Sequence, residues 1–187
     1  SKEGLASVVL YEELAEEIFG KPLSELGIGD EASAELFAEI NTEIMETENV
    51  LGYLEGTEKP EELMILTAHY DHVGVQDGKV YNGADDDASG TTAVLEIAEA
   101  FVKAKKAGHG PKRSILFMPV TGEEKGLLGS AHYAENPVFP LENTVTNLNI
   151  DMIGRVDSIH MDDREFVYLI GSNRISTELH EISEAMN

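Results

Sequence analysis

The spacing of apolar positions changes several times along the 187 residues, and each change predicts a different element. Ser7-Val8-Val9-Leu10 reads as a short strand. From about Glu12 to Phe19, Leu14, Ile18 and Phe19 fall on one side of a helix that Gly20 and Pro22 stop. Asp30 is placed to cap a second helix carrying Leu36, Phe37 and Ile40. After Thr47-Glu48-Asn49 the pattern shortens, and a boundary is expected near Thr47. Val50–Leu54 and Leu63–Ala68 read as strands, joined in a hairpin by the turn-rich Gly56-Thr57-Glu58-Lys59-Pro60. The second run is almost wholly apolar, as a strand buried on both faces should be.

Asp77-Gly78 marks a tight turn. From Ser89 to about Lys106, apolar residues at Val94, Leu95, Ile97, Ala98, Phe101 and Val102 predict a long helix capped near Ser89. Ser114–Val120, Thr144–Ile150 and Phe166–Ile170 read as further strands, with a short helix over Leu127–Glu135 stopped by Pro137. A last helix puts Ile175, Leu179, Ile182 and Met186 on one face and reaches Asn187 without a cap, so the chain reads as stopping inside its domain. Strands alternating with helices predict an α/β fold, a mixed and mainly parallel sheet with helices on both faces. Sites in such folds gather at the carboxyl ends of the strands.

Charge narrows the partners. Thirteen Lys and Arg against 36 Asp and Glu give a formal net charge of -23, which repels nucleic acid and anionic membranes. Neither is expected as a partner. The absence of cysteine excludes disulfides and thiolate metal sites, so a zinc ion here would need His and carboxylate ligands. No apolar run reaches spanning length, and the first residues read as the middle of a protein rather than a natural start.

The candidate chemistry sits beside the predicted strands. Asn82-Gly83-Ala84-Asp85-Asp86-Asp87-Ala88-Ser89-Gly90 sets three consecutive carboxylates at the mouth of the long helix, a run that is costly to hold ionised without a cation. His69 and Asp71 follow one strand, Glu123 and Glu124 a second, and Asp151 a third, so all can converge on one edge of the sheet. These are residues that zinc accepts, and an Asp between two ions can bridge them. Asp71, two residues after His69, is placed to orient the imidazole as an acceptor. His72 is the weaker histidine of its cluster. Taken singly, an Asp run suits a solvated loop, though it lacks the alternating ligands of an EF-hand, and Glu123-Glu124 suits a helix start favoured by the dipole. Asp151 ends an apolar strand and needs a partner for its charge. His109, His132, His160 and His180 have no such company and read as surface residues.

His69-Tyr70-Asp71-His72, Gly83-Ala84-Asp85-Asp86-Asp87-Ala88-Ser89-Gly90, Gly122-Glu123-Glu124-Lys125-Gly126-Leu127-Leu128-Gly129-Ser130 and Asn149-Ile150-Asp151-Met152 together resemble the co-catalytic zinc aminopeptidases. That family groups secreted bacterial leucyl aminopeptidases with glutamate carboxypeptidase and, as relatives, glutaminyl cyclase and the transferrin receptor ectodomain. The match runs from about Asn49 to Arg155, and four motifs in register are far more specific than any one.

The resemblance implies two zinc ions in the complete enzyme. His69 and Asp151 would bind one, Glu124 the other, and Asp86 would bridge both, lying three residues before the Ser of Ser89-Gly90. The Asp86-Asp87 peptide bond would be cis, Glu123 would be the general base, and Asp71 would assist catalysis beside His69. A fifth protein ligand, a His on a later loop, has no matching motif before Asn187, so this chain alone is expected to be inactive. The implied activity is hydrolysis of N-terminal peptide bonds on a peptide substrate, in a secreted or periplasmic protein. Carboxypeptidase specificity, a glutaminyl-cyclase-like acyl transfer and a non-catalytic receptor-like role are the alternatives. Residues 1–47 loosely resemble the tail of an inserted protease-associated domain, and 48–187 the N-terminal part of the catalytic domain.

Overall fold

The structure, a computed structural model, describes residues 9–33, 35, 41–162 and 165–187. The chain divides into two compact units, Ser1–Met45 and Glu46–Asn187. In the first, α1 (Glu12–Phe19) matches the predicted helix and closes on Gly20, whose φ of 68° lets its N–H reach the Glu16 carbonyl at 2.7 Å. Val9 and Leu10, expected in a strand, lie in no regular element, and Ser7 and Val8 fall outside the described residues. So do Leu36, Phe37 and Ile40 of the expected second helix. Asp30, its expected cap, instead accepts from the Lys21 ammonium at 2.6 Å and from the Gly27 amide at 2.5 Å.

In the second unit, β1 (Gly52–Leu54), β2 (Lys59–His69), β5 (Arg113–Val120) and β6 (Thr144–Asn149) form one sheet in the order β1-β5-β2-β6. The expected hairpin between the first two strands is not formed. β5 lies between them, pairing antiparallel with β1 and parallel with β2, while β6 adds to the other side of β2 in parallel. The Gly56–Pro60 connector therefore carries the chain past β5, and the buried Ser114 hydroxyl anchors it, accepting from the Gly56 amide at 3.0 Å and donating to the Pro60 carbonyl at 2.7 Å. Asp77-Gly78 does make a tight turn: both residues have positive φ, 50° and 73°, and join β3 (Gly74–Gln76) to β4 (Lys79–Tyr81).

Side chains alternate across β2 and β5 and divide the core into two layers. Leu63, Ile65, Leu116, Met118 and Val120 pack with Tyr133 of α3 (Leu128–Glu135) on one face. Leu66, Ala68, Ile115 and Phe117 pack with Val94, Ile97, Ala98 and Phe101 of α2 (Ala88–Lys106) on the other. Helices thus cover both faces of a mixed, mainly parallel sheet, as the sequence predicts. Both central strands are buried on both sides, which is why they read as unbroken apolar runs.

The C-terminal stretch departs from expectation. Residues 166–170 form no strand; the main chain at Val167 is met instead by the Asn187 side chain, which accepts from its amide and donates to its carbonyl, each at 3.0 Å. α4 (Thr177–Met186) is capped at its start by Ser176, whose hydroxyl accepts from the Leu179 amide at 3.1 Å, and in its last turn the Asn187 amide donates to the Ser183 carbonyl at 3.0 Å. Of the expected apolar face, Ile175, Ile182 and Met186 are exposed and Leu179 is half-buried. Among the described residues no helix is long and apolar enough to cross a membrane.

Candidate active site

Parallel pairing carries β2, β5 and β6 to the same edge of the sheet, because strands running one way end on one side. The register sets His69 opposite Val120, and Thr67 opposite Asn149. The residues that follow these strands emerge together: His69 to His72, then Glu123 and Glu124, then Asp151. The N-terminus of α2 arrives at the same place, tied there by the Thr91 hydroxyl, which donates to the His69 carbonyl at 2.8 Å.

Asp87 joins three of the four motifs. Its carboxylate is 1% exposed and accepts from the amides of Gly90 at 2.9 Å, His69 at 3.2 Å and Met152 at 3.2 Å. It is also the cap of α2, the role expected near Ser89. Ser89 does other work: its hydroxyl donates to the Asp85 carbonyl at 2.7 Å. Gly90 is needed for closeness, since a Cβ there would collide with the Asp87 carboxylate and the Ile150 carbonyl. The Asp86-Asp87 peptide bond is cis.

Three neighbouring acids thus face three ways. Asp85 turns toward the segment after Asp151, pairing with Arg155 at 2.6 Å and accepting from the Gly154 amide at 2.8 Å, contacts that hold its carboxyl below the usual range. Asp87 turns into the core. Asp86 faces the edge, its Oδ1 3.0 Å from His69 Nε2 and its Oδ2 3.9 Å from His72 Nδ1. His69 Nε2 is also 3.9 Å from Asp151, and His72 Nδ1 lies 2.7 Å from Glu124. The result is two groups of donor atoms, His69-Asp86-Asp151 and His72-Asp86-Glu124, each with its atoms within 4.8 Å of one another and both including Asp86.

The structure therefore brings His69, Asp86, Glu124 and Asp151 together. It also brings in His72, whose sequence signal was only its place in the same four-residue cluster. Asp71 acts differently from the expectation that its side chain would orient His69. The ring Nδ1 meets the Asp71 main-chain carbonyl at 3.0 Å, with the carboxylate farther off at 3.7 Å. That carboxylate instead accepts from the amides of Glu123 at 3.1 Å and Glu124 at 3.3 Å, fixing the turn after β5. His160 is likewise more than a surface residue, pairing with Asp157 at 2.8 Å and packing on Phe166, but it belongs to neither donor group.

Electrostatics favour a cation at this edge. Burial pushes the carboxyls of Asp87, Asp151 and Glu123 up, and neighbouring acids add to the rise. Burial of the His69 ring opposes its protonation, yet the Asp71 carbonyl and the charges of Asp87, Glu123 and Asp151 outweigh it and raise its pKa. Without a cation the cluster thus carries more negative charge than it holds comfortably. Moreover, His72 Nδ1 and Glu124 Oε1 are enclosed and neither makes a hydrogen bond, since their close approach lacks the alignment of one. Imidazole and carboxylate donors with unused lone pairs, around a shared Asp, fit zinc.

A mainly parallel α/β sheet with His and carboxylate donors gathered at its carboxyl edge defines the class. Residues 49–185 match the family model described as Peptidase family M28, and the chain belongs to that family. Over 114 residues it is 40% identical to a probable zinc metalloprotease of Pyrenophora tritici-repentis, an alignment covering 57% of this chain and 22% of that protein. It is 37% identical over 111 residues to a probable glutamate carboxypeptidase of Arabidopsis thaliana, covering 59% and 15%. The crystal structure of BSAP, a zinc aminopeptidase from Bacillus subtilis, is similar at a TM-score of 0.47 and 31% identity, covering 57% of this chain and 24% of that one. The chain thus spans less than a quarter of the length of each.

Proposed function

We propose that this edge is the zinc centre of a metallo-aminopeptidase, with two ions sharing Asp86. His69 and Asp151 would hold one ion together with Asp86, and Glu124 would contribute to the other. The observation that carries the reading is the division of labour between adjacent acids: Glu124 belongs to a donor group, whereas Glu123 belongs to neither and has its carboxyl pushed up by burial. A carboxylate poised in that way suits a general base. When bound, zinc would acidify a water and polarise the scissile carbonyl. Glu123 accepts a proton from the attacking water and returns it to the leaving amine, while Asp71 holds the turn that aims it. Hydrolysis of an N-terminal peptide bond follows.

Aminopeptidase specificity is favoured over carboxypeptidase by the acidic surroundings, which suit a free α-ammonium. A cavity of about 350 Å³ beside Asp86 is lined by His72, Asn82, Gly83, Ala84, Asp85 and Arg155 as well. Its basic residue, Arg155, pairs through Nε with Asp85, which offsets much of its charge. The test is turnover by the zinc-loaded whole protein of an aminoacyl-nitroanilide, its N-acetyl derivative, and an N-acetylated peptide ending in Glu. Losing a charge-assisted contact to the α-ammonium costs about 1.5–3 kcal/mol, so acetylation should lower kcat/KM by at least ~10-fold. Preference for the blocked peptide ending in Glu would show a carboxypeptidase instead, and release of ammonia from an N-terminal Gln an acyltransferase.

A further inference from the structure

We propose that Asp85 is a positioning residue, and that Asp85, Ser89 and Arg155 form a clamp outside both donor groups that fixes the span between Asp86 and Asp151. This rests on the zinc-centre reading above and adds to it the means by which two acids from distant parts of the chain are kept in register. Asp86 comes just before α2 and Asp151 just after β6. Four consecutive residues after Asp151 are tied to the segment around Asp86. The Met152 amide donates to Asp87 at 3.2 Å, the Ile153 amide to the Ser89 hydroxyl at 3.2 Å, the Gly154 amide to Asp85 Oδ1 at 2.8 Å, and Arg155 Nε to Asp85 Oδ2 at 2.6 Å. Ser89 in turn donates to the Asp85 carbonyl at 2.7 Å, which locks the two acceptors of the clamp to each other. Both acids that flank Asp86 therefore act on the residues that follow Asp151.

The two segments approach closely. A Cβ at Gly154 would sit 2.7 Å from Asp85 Oδ1 and 3.1 Å from Ser89 Cβ, so any side chain there would push the segment after Asp151 away from the mouth of α2. The Asp85 side chain is only 14% exposed, whereas that of Arg155 reaches solvent at 72%. An ion pair with so exposed a partner contributes little to stability by itself. Its use is geometric: Arg155 closes over the Oδ2 that Gly154 leaves open, and the carboxylate is thereby held by a main-chain and a side-chain donor of successive residues. Groups that orient ligands from behind set metal affinity over a range of ~10–100-fold, and Asp85 touches the backbone of the Asp151 segment from within the turn that carries Asp86.

The experiment measures zinc affinity of the whole protein by competition with a chromophoric chelator. Wild type is compared with Gly154→Ala and with two double variants, Asp85→Asn with Arg155→Gln and Asp85→Ala with Arg155→Gln. Each double variant removes one negative and one positive charge, so both alter the field at Asp86 alike, and only the one with Asp85→Asn keeps an acceptor for the Gly154 amide. That variant should bind zinc as wild type does. The double variant with Asp85→Ala, and Gly154→Ala, should each bind zinc at least ~10-fold more weakly. Amide hydrogen exchange at Ile153 and Gly154 in the metal-free protein is the second readout: it should accelerate in those same two variants and not in the first, with urea midpoints confirming that all are folded. Equal zinc affinity in the two double variants, or faster exchange at Gly154 without any loss of zinc affinity, would overturn the clamp and leave the zinc-centre reading standing. Failure of wild type to bind any zinc would overturn both.

Discussion

Glu123→Gln should lower kcat of the zinc-loaded whole protein by ~10²–10⁴, the range typical of a lost general base, with zinc content unchanged. The substitution keeps size and hydrogen-bonding shape but removes the proton acceptor, and Glu123 is in neither donor group. Glu124→Gln should behave in the opposite way. Its side chain lies 2.7 Å from His72 within a donor group, so losing its charge should weaken one ion, and added zinc should restore part of the activity. Zinc per chain and kcat across a zinc titration separate the two variants. Loss of metal from Glu123→Gln, with both ions kept by Glu124→Gln, would reverse the assigned roles.

Asp87→Ala should be the most destabilising change at the site. It leaves the amides of Gly90, His69 and Met152 without their acceptor in a place water reaches poorly. An unsatisfied buried donor costs ~1–3 kcal/mol, so about 3 kcal/mol or more should be lost, read as a lower midpoint in urea. The loss should vary with pH in the metal-free protein. Because burial raises the Asp87 pKa, its contribution to stability is fully present below the unfolded value and declines as pH rises through the folded one. The gap between wild type and Asp87→Ala should therefore narrow with rising pH. An unchanged urea midpoint would mean that Asp87 does not hold the motifs together.

What could be read from the sequence and what could not divide along the range of the interactions. β2 and β5 were legible because burial on both faces makes them continuously apolar, and α2 because its period is local. The partner of β1 was not. Nothing in Gly56–Pro60 reveals that a strand more than fifty residues later inserts beside it. Residues 166–170 have strand-like composition, but the Asn187 side chain, not a neighbouring strand, meets their backbone.

At the site, the spacing of motifs after strands was enough to nominate His69, Asp86, Glu123, Glu124 and Asp151. The individual duties of Asp71 and Asp87 were hidden, because both act on backbone amides of distant segments. Sequence shows a carboxylate but not which amides it will meet.

The most direct measurement of the central claim is an anomalous difference map, collected at the zinc edge from crystals of the zinc-loaded protein. The account predicts zinc density at Asp86, one peak shared with His69 and Asp151 and a second with Glu124, and none at Asp85 or Asp87. Zinc density remote from Asp86, or held by Asp85 or Asp87 in its place, would contradict it.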